Sequence, residues 1–360
     1  MTILSPADTR HPLPEHFSGV ERAFTYDSLF ELVGNTPLLR VRELVPDDGP
    51  KLYLKLDQFN YGGSSKDRLG LNIVRRAIAD GELKPGQRII DFGAGNTAIS
   101  YALAGIATGH PVTTVFNETL SPEKAEFLRF LGVDLVPGRV DVPRDHPDNW
   151  AAVAERYENE DPSNWWARQE SSAYNPQAHI ESTGPEVWHQ TDGEITHWIA
   201  AIATGGTVSG TARYLKERNP DVQVIATRVN DPDKPTNLER FLAREPGWED
   251  LQPDWAPNVD LDVIDRFAFR SKAEVIDFGW HVARTTGLAL GISSILSLRV
   301  AVDLAAELGP DDVIVSFSAD SARDYLTREY NAHWLRQNGF AEIADRYSRA
   351  ADGDGAGAGA

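Results

Sequence analysis

From Lys51 to Gly138 the chain repeats one pattern, in which a short apolar run gives way to a stretch with helical apolar spacing and then to another short run. "PLLRV", just ahead of this stretch, and "KLYLKLD", "QRIIDF", "PVTTVF" and "VDLVPG" within it read as strands, and "DRLGLNIVRRAIADG", "NTAISYALAGIATG" and "SPEKAEFLRFLG" as the helices between the last four. In the last helix Ser121 predicts the N-cap, Pro122 the first helical position and Gly132 the stop. Strands that alternate with helices of this length predict a parallel sheet with right-handed crossovers. A second alternating run starts at "THWIAAIATGGTVSGTARYLKERNP" and continues through "VQVIATRV", and a further strand, "DDVIVSFSAD", comes late. Between the two runs, Val140 to Ser163 is rich in Asp, Pro and Asn and reads as a surface connection with one short helix. The pattern predicts two α/β lobes, with the cleft between them as the default site.

Several function classes are disfavoured by composition. No apolar run approaches the roughly 18 residues that suggest a membrane span, and the N-terminal "MTILSPADTRHPLPEHFSG" has neither a basic start with an apolar core nor an Arg-rich pattern, so the expected location is the cytoplasm. With 54 acidic against 35 basic side chains the net charge is -19, and no basic cluster offsets it, which disfavours nucleic acid and anionic lipid as partners. The cysteine count of 0 removes disulfides, thiolate catalysis and cysteine-ligated metal. The 9 histidines show no helical zinc spacing, so no metal site is expected.

Three stretches concentrate the glycines and polar residues from which a site is built. "RIIDFGAGNTAISYAL" carries Gly93-x-Gly95-x-x-Ala98 between a strand and a helix, a relaxed dinucleotide fingerprint with Glu118 near the end of the next strand. The same turn, with Asn96 and Thr97, also suits a small acid held at a helix N-terminus, or no ligand at all. In "AIATGGTVSGTARYL", Thr204, Gly205, Gly206 and Thr207 bring hydroxyls, free N–H groups and a helix dipole together, as in an anion nest or a plain glycine turn. In "NYGGSSKDR", Gly62, Gly63, Ser64 and Ser65 precede Lys66. A Walker loop has glycine directly before its lysine, so Lys66 reads either as a surface lysine or as a reactive amine.

A phosphate nest, a small-acid turn and an isolated lysine are the parts that hold pyridoxal phosphate and an amino acid together. "LVGNTPLLRV", "KLDQFNYGGSSKDR", "GAGNTAISYALA", "AHIESTGPEVW", "ATGGTVSGTARYLKERNP", "GLALGISS" and "ADSARDYL" resemble, in that order, the motifs of the cysteine synthase and cystathionine β-synthase family, from about Leu32 to Leu326. The resemblance implies a fold-type II pyridoxal phosphate enzyme, α/β, with two three-layer α/β/α domains of mainly parallel twisted sheets, like the tryptophan synthase β-subunit. Residues 20–58 and 170–345 would form the larger, phosphate-binding domain, and 59–169 the smaller one with the lysine and the substrate loop. Residues 346–360, ending in "GDGAGAGA", would be a flexible tail. By the same resemblance Lys66 bonds the cofactor and moves the Cα proton, and Asn96 meets the phenolic oxygen. Thr204, Gly205, Gly206 and Thr207 bind the phosphate, with Ala203 in place of the family's first glycine, and Ser321 faces the pyridine nitrogen. Gly93, Ala94, Gly95, Thr97 and Gln169 hold the substrate carboxylate. A homodimer is implied in the same way.

Departures from the family pattern gather on the substrate side. Where the family has Thr-Ser-Gly-Asn-Thr-Gly, this chain has Gly93-Ala94-Gly95-Asn96-Thr97-Ala98, so two hydroxyls are missing. A glycine-rich loop of cysteine synthases is replaced by a stretch with Trp248 and Trp255, Tyr61 stands for a proline and Ile295 for a glycine. The resulting expectation is β-replacement on serine or an O-activated serine through an aminoacrylate, with a small nucleophile as co-substrate and a specialised non-proteinogenic amino acid as product rather than housekeeping cysteine. A lyase or dehydratase on the same chemistry, and a low-activity cofactor-binding scaffold acting through a partner protein, are the alternatives. Trp165 and Trp166, beside Arg168, read as cleft, interface or core residues.

Overall fold

The computed structural model describes residues 26–93, 95–230, 236–244 and 256–352. Among them the strands are β1 (Leu38–Arg40), β2 (Lys51–Leu56), β3 (Arg88–Phe92), β4 (Val112–Phe116), β5 (Asp134–Pro137), β6 (Asn164–Trp166), β7 (His197–Ala201), β8 (Gln223–Asn230), β9 (Arg266–Ser271) and β10 (Val313–Ser318). They form a six-stranded sheet in the order β1-β2-β10-β7-β8-β9 and a four-stranded sheet in the order β5-β4-β3-β6. Every pairing is parallel except that of β1 with β2. β6 and β9 lie outside the runs marked by the sequence pattern. One has only three residues, and the other, "RFAFRS", is a sheet-edge strand whose charges break the apolar alternation.

Helices cover both faces of each sheet, as the buried clusters show. On the larger sheet, helices Lys272–Thr286 and Ile292–Ala305 pack over one face and Gly184–Gln190 and Gly206–Arg218 over the other. On the smaller sheet, Lys66–Ala79 and Asn96–Thr108 share one core, and Trp150–Glu160 closes the opposite face with Ala151, Val153 and Ala154. Trp166 belongs to that second core, 6.1 Å from the ring of Phe92. Ser121 and Pro122 start helix Pro122–Phe130 as expected, the Ser121 hydroxyl accepting the N–H of Lys124.

The last helix, Ala341–Asp352, corrects the tail expected from residue 346. The Tyr347 hydroxyl donates to the Asp277 carbonyl at 3.0 Å and Arg346 pairs with Asp277 at 2.6 Å, so ordered chain continues past that boundary. Alternating Gly and Ala dominate only beyond it.

A buried charge cluster ties the helix that starts at Lys66 to the larger sheet. Arg68 meets Asp57 through Nε at 2.7 Å and Nη2 at 2.8 Å, and Glu186 through Nη1 at 2.6 Å and Nη2 at 2.8 Å. Lys55 adds a second cation, 2.6 Å from Glu186. Two carboxylates and two cations balance, which is the condition for burying such charges without a large desolvation penalty. The Glu186 carboxyl is held down to about 2; burial opposes ionisation, and the Arg68 and Lys55 contacts outweigh it.

Candidate active site

Lys66 opens its helix at the end of a loop that is pinned to the larger sheet. The Ser65 N–H donates to the Ala319 carbonyl at 2.8 Å, and Ser64 bridges Asp320 just past the C-terminal end of β10. Here a cavity open to solvent at its mouth is lined by Ser65, Lys66, Thr204, Gly205, Thr207 and Ser293, among others. Among the described residues, no hydrogen bond or ion pair engages Lys66 Nζ. Its pKa is lowered because burial disfavours the charged amine, against the pull of Asp320 and Asp57. Ser65 Oγ, buried at 1% exposure, also has no partner.

The wall opposite Lys66 is the turn after β7. Gly205, at φ +88°, is the N-cap of helix Gly206–Arg218, and a Cβ there would lie 2.5 Å from the backbone N of Val259. Only glycine fits. The N–H groups of Gly206, Thr207 and Val208 have no acceptor among the described residues and point out of the helix N-terminus, an arrangement that favours an anion. The hydroxyls beside them are held in place: Thr204 Oγ1 accepts from Asn175 Nδ2 at 2.9 Å, and Thr207 Oγ1 lies 3.1 Å from His179 Nε2. Burial, with the charge of Arg68 acting in the same direction, lowers the His179 pKa to about 3, so the ring is neutral at ordinary pH.

The third group stands at the C-terminal ends of the paired strands β3 and β6. Thr97 Oγ1 donates to Gln169 Oε1 at 2.7 Å, and a Cβ on Gly93 would lie 3.2 Å from Gln169 Nε2. Gly93, Thr97 and Gln169 therefore lie together. Gly95, at φ +120°, is the N-cap of helix Asn96–Thr108. Ala94, Trp248 and Trp255 lie outside the described residues. Asn175 joins this group to the previous one, since its Nδ2 also donates to the Gln169 carbonyl at 2.7 Å.

An amine, an anion nest and a donor-rich turn, all at the C-terminal ends of parallel strands, form the arrangement in which α/β proteins bind ligands. Residues 29–320 match the pyridoxal-phosphate dependent enzymes as a family. The chain belongs to that family. It is 33% identical to cystathionine β-synthase of Oryctolagus cuniculus over 344 residues, 93% of this chain and 61% of that protein. It is also 33% identical to a cysteine synthase of Aquifex aeolicus over 320 residues, 84% of this chain and 91% of that one. A crystal structure of O-ureido-L-serine synthase superposes with a TM-score of 0.73 at 28% identity, covering 84% of this chain and 94% of that chain. The chain thus spans less than two thirds of the length of the rabbit relative.

The residues present fit the family's pyridoxal phosphate. The open helix N-terminus suits its phosphate, Lys66 Nζ is an unpartnered amine in the same cavity, and Ser65 Oγ is a buried polar atom without a partner there. Asn96 and Ser321 are placed differently. Asn96 Nδ2 donates to Asp320 Oδ2 at 2.8 Å, and the Ser321 hydroxyl accepts the N–H of Arg323 at 3.1 Å. Neither lines the cavity.

Sequence reasoning missed the carboxylates behind the site of this pyridoxal-phosphate dependent enzyme. Asp320, next to Ser321, is buried at 2% exposure, accepts from Asn96 and from the Tyr325 hydroxyl at 2.8 Å, and leaves Oδ1 unpartnered. Asp91, at the end of β3, accepts from the N–H groups of Phe92 and Gln169, both at 2.9 Å, from the Tyr101 hydroxyl at 3.0 Å and from Trp166 Nε1 at 3.1 Å. Burial raises its carboxyl to about 6 despite these four donors. The available signal was an acidic residue at the C-terminal end of each of two apolar strands, "RIID" and "FSAD", where solvation alone would not place one.

Proposed function

We propose that this chain catalyses β-replacement on serine or an O-activated serine with pyridoxal phosphate as cofactor, and that its product is a specialised amino acid rather than housekeeping cysteine. The observation that carries the reading is a buried Lys66 amine, without a hydrogen bond or ion pair among the described residues, in one cavity with an open helix N-terminus. Pyridoxal phosphate, when bound, supplies an electron sink that acidifies the Cα proton and lets a β-substituent leave. Lys66 Nζ, whose pKa burial lowers, more readily offers the lone pair needed to bond an aldehyde and to take that proton. The N–H groups of Gly206 and Thr207, with the Thr204 and Thr207 hydroxyls, hold the phosphate. In this reading Asn96 turns to the phenolic oxygen and Ser321 to the pyridine nitrogen, while Gly93, Ala94, Gly95, Thr97 and Gln169 form the substrate carboxylate loop.

The specialised product is supported by the loop's two missing hydroxyls and by the likeness to O-ureido-L-serine synthase. A homodimer in the cytoplasm is part of the same proposal. Among the described residues no helix is long and apolar enough to cross a membrane. The test is the visible absorbance of the purified protein beside Lys66→Ala, followed by product analysis with O-acetylserine and a panel of nucleophiles. A band that Lys66→Ala abolishes, with a nucleophile-dependent product, is expected. Absence of the band after cofactor addition overturns the whole reading. Fast cysteine formation from sulfide overturns the specialised product, and pyruvate formed whatever the nucleophile assigns a lyase instead.

A further inference from the structure

The loop that should hold the substrate carboxylate has lost two hydroxyls, yet a cation lies directly over it. Lys124, on helix Pro122–Phe130, runs its side chain across Gly95, and a Cβ built on that glycine would lie 2.5 Å from Lys124 Cδ. The residue is 8% exposed. Nζ is 3.2 Å from Asp324 Oδ2 and 5.6 Å from the centre of the Tyr325 ring. Its charge reaches the reactive side of the cleft as well, opposing protonation of both Lys66 and Asp320. Lys124 thus runs over the turn expected to hold the substrate and acts through its charge on the reactive amine.

The helix that carries Lys124 does not itself favour a cation at that place. Lys124 lies in the first turn of its helix, where the helix dipole disfavours positive charge. It is nearly buried, where an ammonium needs compensation, and among the described residues its only ion pair is with the partly exposed Asp324. A helix stabilised for its own sake would carry an acidic or neutral residue here.

We propose that Lys124 determines substrate specificity by pairing with the α-carboxylate of the amino acid, and so supplies the charge that takes over from the loop's missing hydroxyls. The inference rests on the proposed function, because it takes Lys66 to mark where the amino group of the substrate goes. Asp324 then acts as a place-holder: it neutralises Lys124 in the empty site and competes with the carboxylate for it. The substrate class that follows is a free α-amino acid, not an ester, an amide or a peptide-linked residue. The side chain beyond Cβ is left to other walls of the cleft.

The test is equilibrium binding of L-alanine and L-alaninamide to the holoenzyme, by calorimetry and by the change in its visible spectrum. Alanine has no β-leaving group, so binding is read without turnover, and alaninamide differs only at the carboxylate. Lys124→Gln should weaken alanine binding by about ten-fold, the loss expected for one charge-assisted hydrogen bond, and leave alaninamide unchanged. Lys124→Arg should keep most of the affinity for alanine. Asp324→Asn should tighten alanine binding several-fold, an outcome that a folding defect would not produce. Equal weakening of both ligands, or no change in either, overturns the proposal. So does a loss confined to O-phosphoserine, which would assign the cation to the leaving group. If Lys124→Gln fails to fold, Asp324→Asn decides, and unchanged alanine binding there overturns the inference. A wild type without the Lys66-dependent band would overturn the proposed function itself, a result distinct from these.

Discussion

The turn after β3 and the turn after β7 are built alike. Each leaves the end of a buried parallel strand, passes through a glycine with positive φ at a helix N-cap, and starts a helix of 13 residues. What differs is the surroundings. Around Gly205 the helix N-terminus is open, and Asn175 and His179 hold the neighbouring hydroxyls beside free N–H groups, so the turn is set for a multiply charged anion. Around Gly95 the space is filled by Lys124 and Leu120, and the polar contacts run back to Gln169 and Asp91. Local sequence sets the shape of such a turn; residues distant in sequence decide which ligand it can take.

Breaking each turn in the same way should therefore have unequal effects. Gly205→Ala meets both a left-handed backbone position and the immovable backbone N of Val259 at 2.5 Å. Left-handed strain and overpacking together cost about 2–5 kcal/mol. Cofactor affinity should fall by roughly a hundred-fold or more, read by titration of the visible band. Gly95→Ala also meets a positive φ, +120°, and Leu120 Cδ1 at 3.2 Å, but the atom at 2.5 Å is the flexible end of Lys124 rather than backbone, so its cofactor affinity should stay within a few-fold while substrate binding suffers. Equal losses of cofactor in the two variants would erase the distinction drawn here.

The next effect lies beneath the Gly95 turn. The Asp91 carboxyl is raised from 3.8 to about 6, with burial the largest cause, so the folded chain keeps a proton that the unfolded chain releases in that interval. Stability from this group falls as pH rises from about 4 to 6 and is level above, by roughly 3 kcal/mol for a shift of about two units. Asp91→Asn removes the titration but turns an amide N–H₂ toward a set of donors, so it is less stable throughout. The gap between wild type and variant, measured from urea unfolding at several pH values, should narrow across that window. A gap that does not change with pH would mean that Asp91 ionises as freely folded as unfolded.

How much of this was legible in the sequence follows from the same contrast. The alternation of apolar runs with helical spacing marked eight of the ten described strands, because a parallel strand buried on both faces reads as a continuous apolar run. Local motifs single out Lys66, Gly205, Thr207, Thr97 and Gln169, and the structure places Lys66, Gly205 and Thr207 on one cavity and Thr97 beside Gln169. The rest depends on contacts that no local pattern encodes. Asp320 reaches Asn96 across 224 positions, and Arg68 reaches Glu186 across 118. Nothing in the helix segment that carries Lys124 marks its side chain as lying over Gly95. The helix through Asp352 was missed because a glycine- and alanine-rich end drew attention away from "AEIADRYSRAAD", which is amphipathic.

Asn175 tests the connection between the two turns, since one side-chain amide serves both Thr204 and the Gln169 carbonyl. Asn175→Ala removes the donor to half-buried Thr204 Oγ1 and one of two donors to the Gln169 carbonyl, which keeps Asn258 Nδ2 at 3.2 Å, a loss of about 2 kcal/mol, and both cofactor and amino-acid affinity should drop. A drop in only one would show that the turns are held independently.

Thr97→Val is the mildest change and the sharpest for the substrate side. It keeps the shape of the side chain and removes one hydrogen bond, the 2.7 Å donation to Gln169 Oε1. Gln169 stays anchored by its own N–H on Asp91 and its carbonyl on Asn175, so the path to Thr204 is intact. One neutral hydrogen bond is worth about 1 kcal/mol, or roughly a five-fold change in affinity. Alanine binding to the holoenzyme should weaken by about that factor while the cofactor titration curve stays in place. If the cofactor curve moves as well, Thr97 supports the Gly205 side through Gln169, and the two turns are one cooperative unit despite their different surroundings.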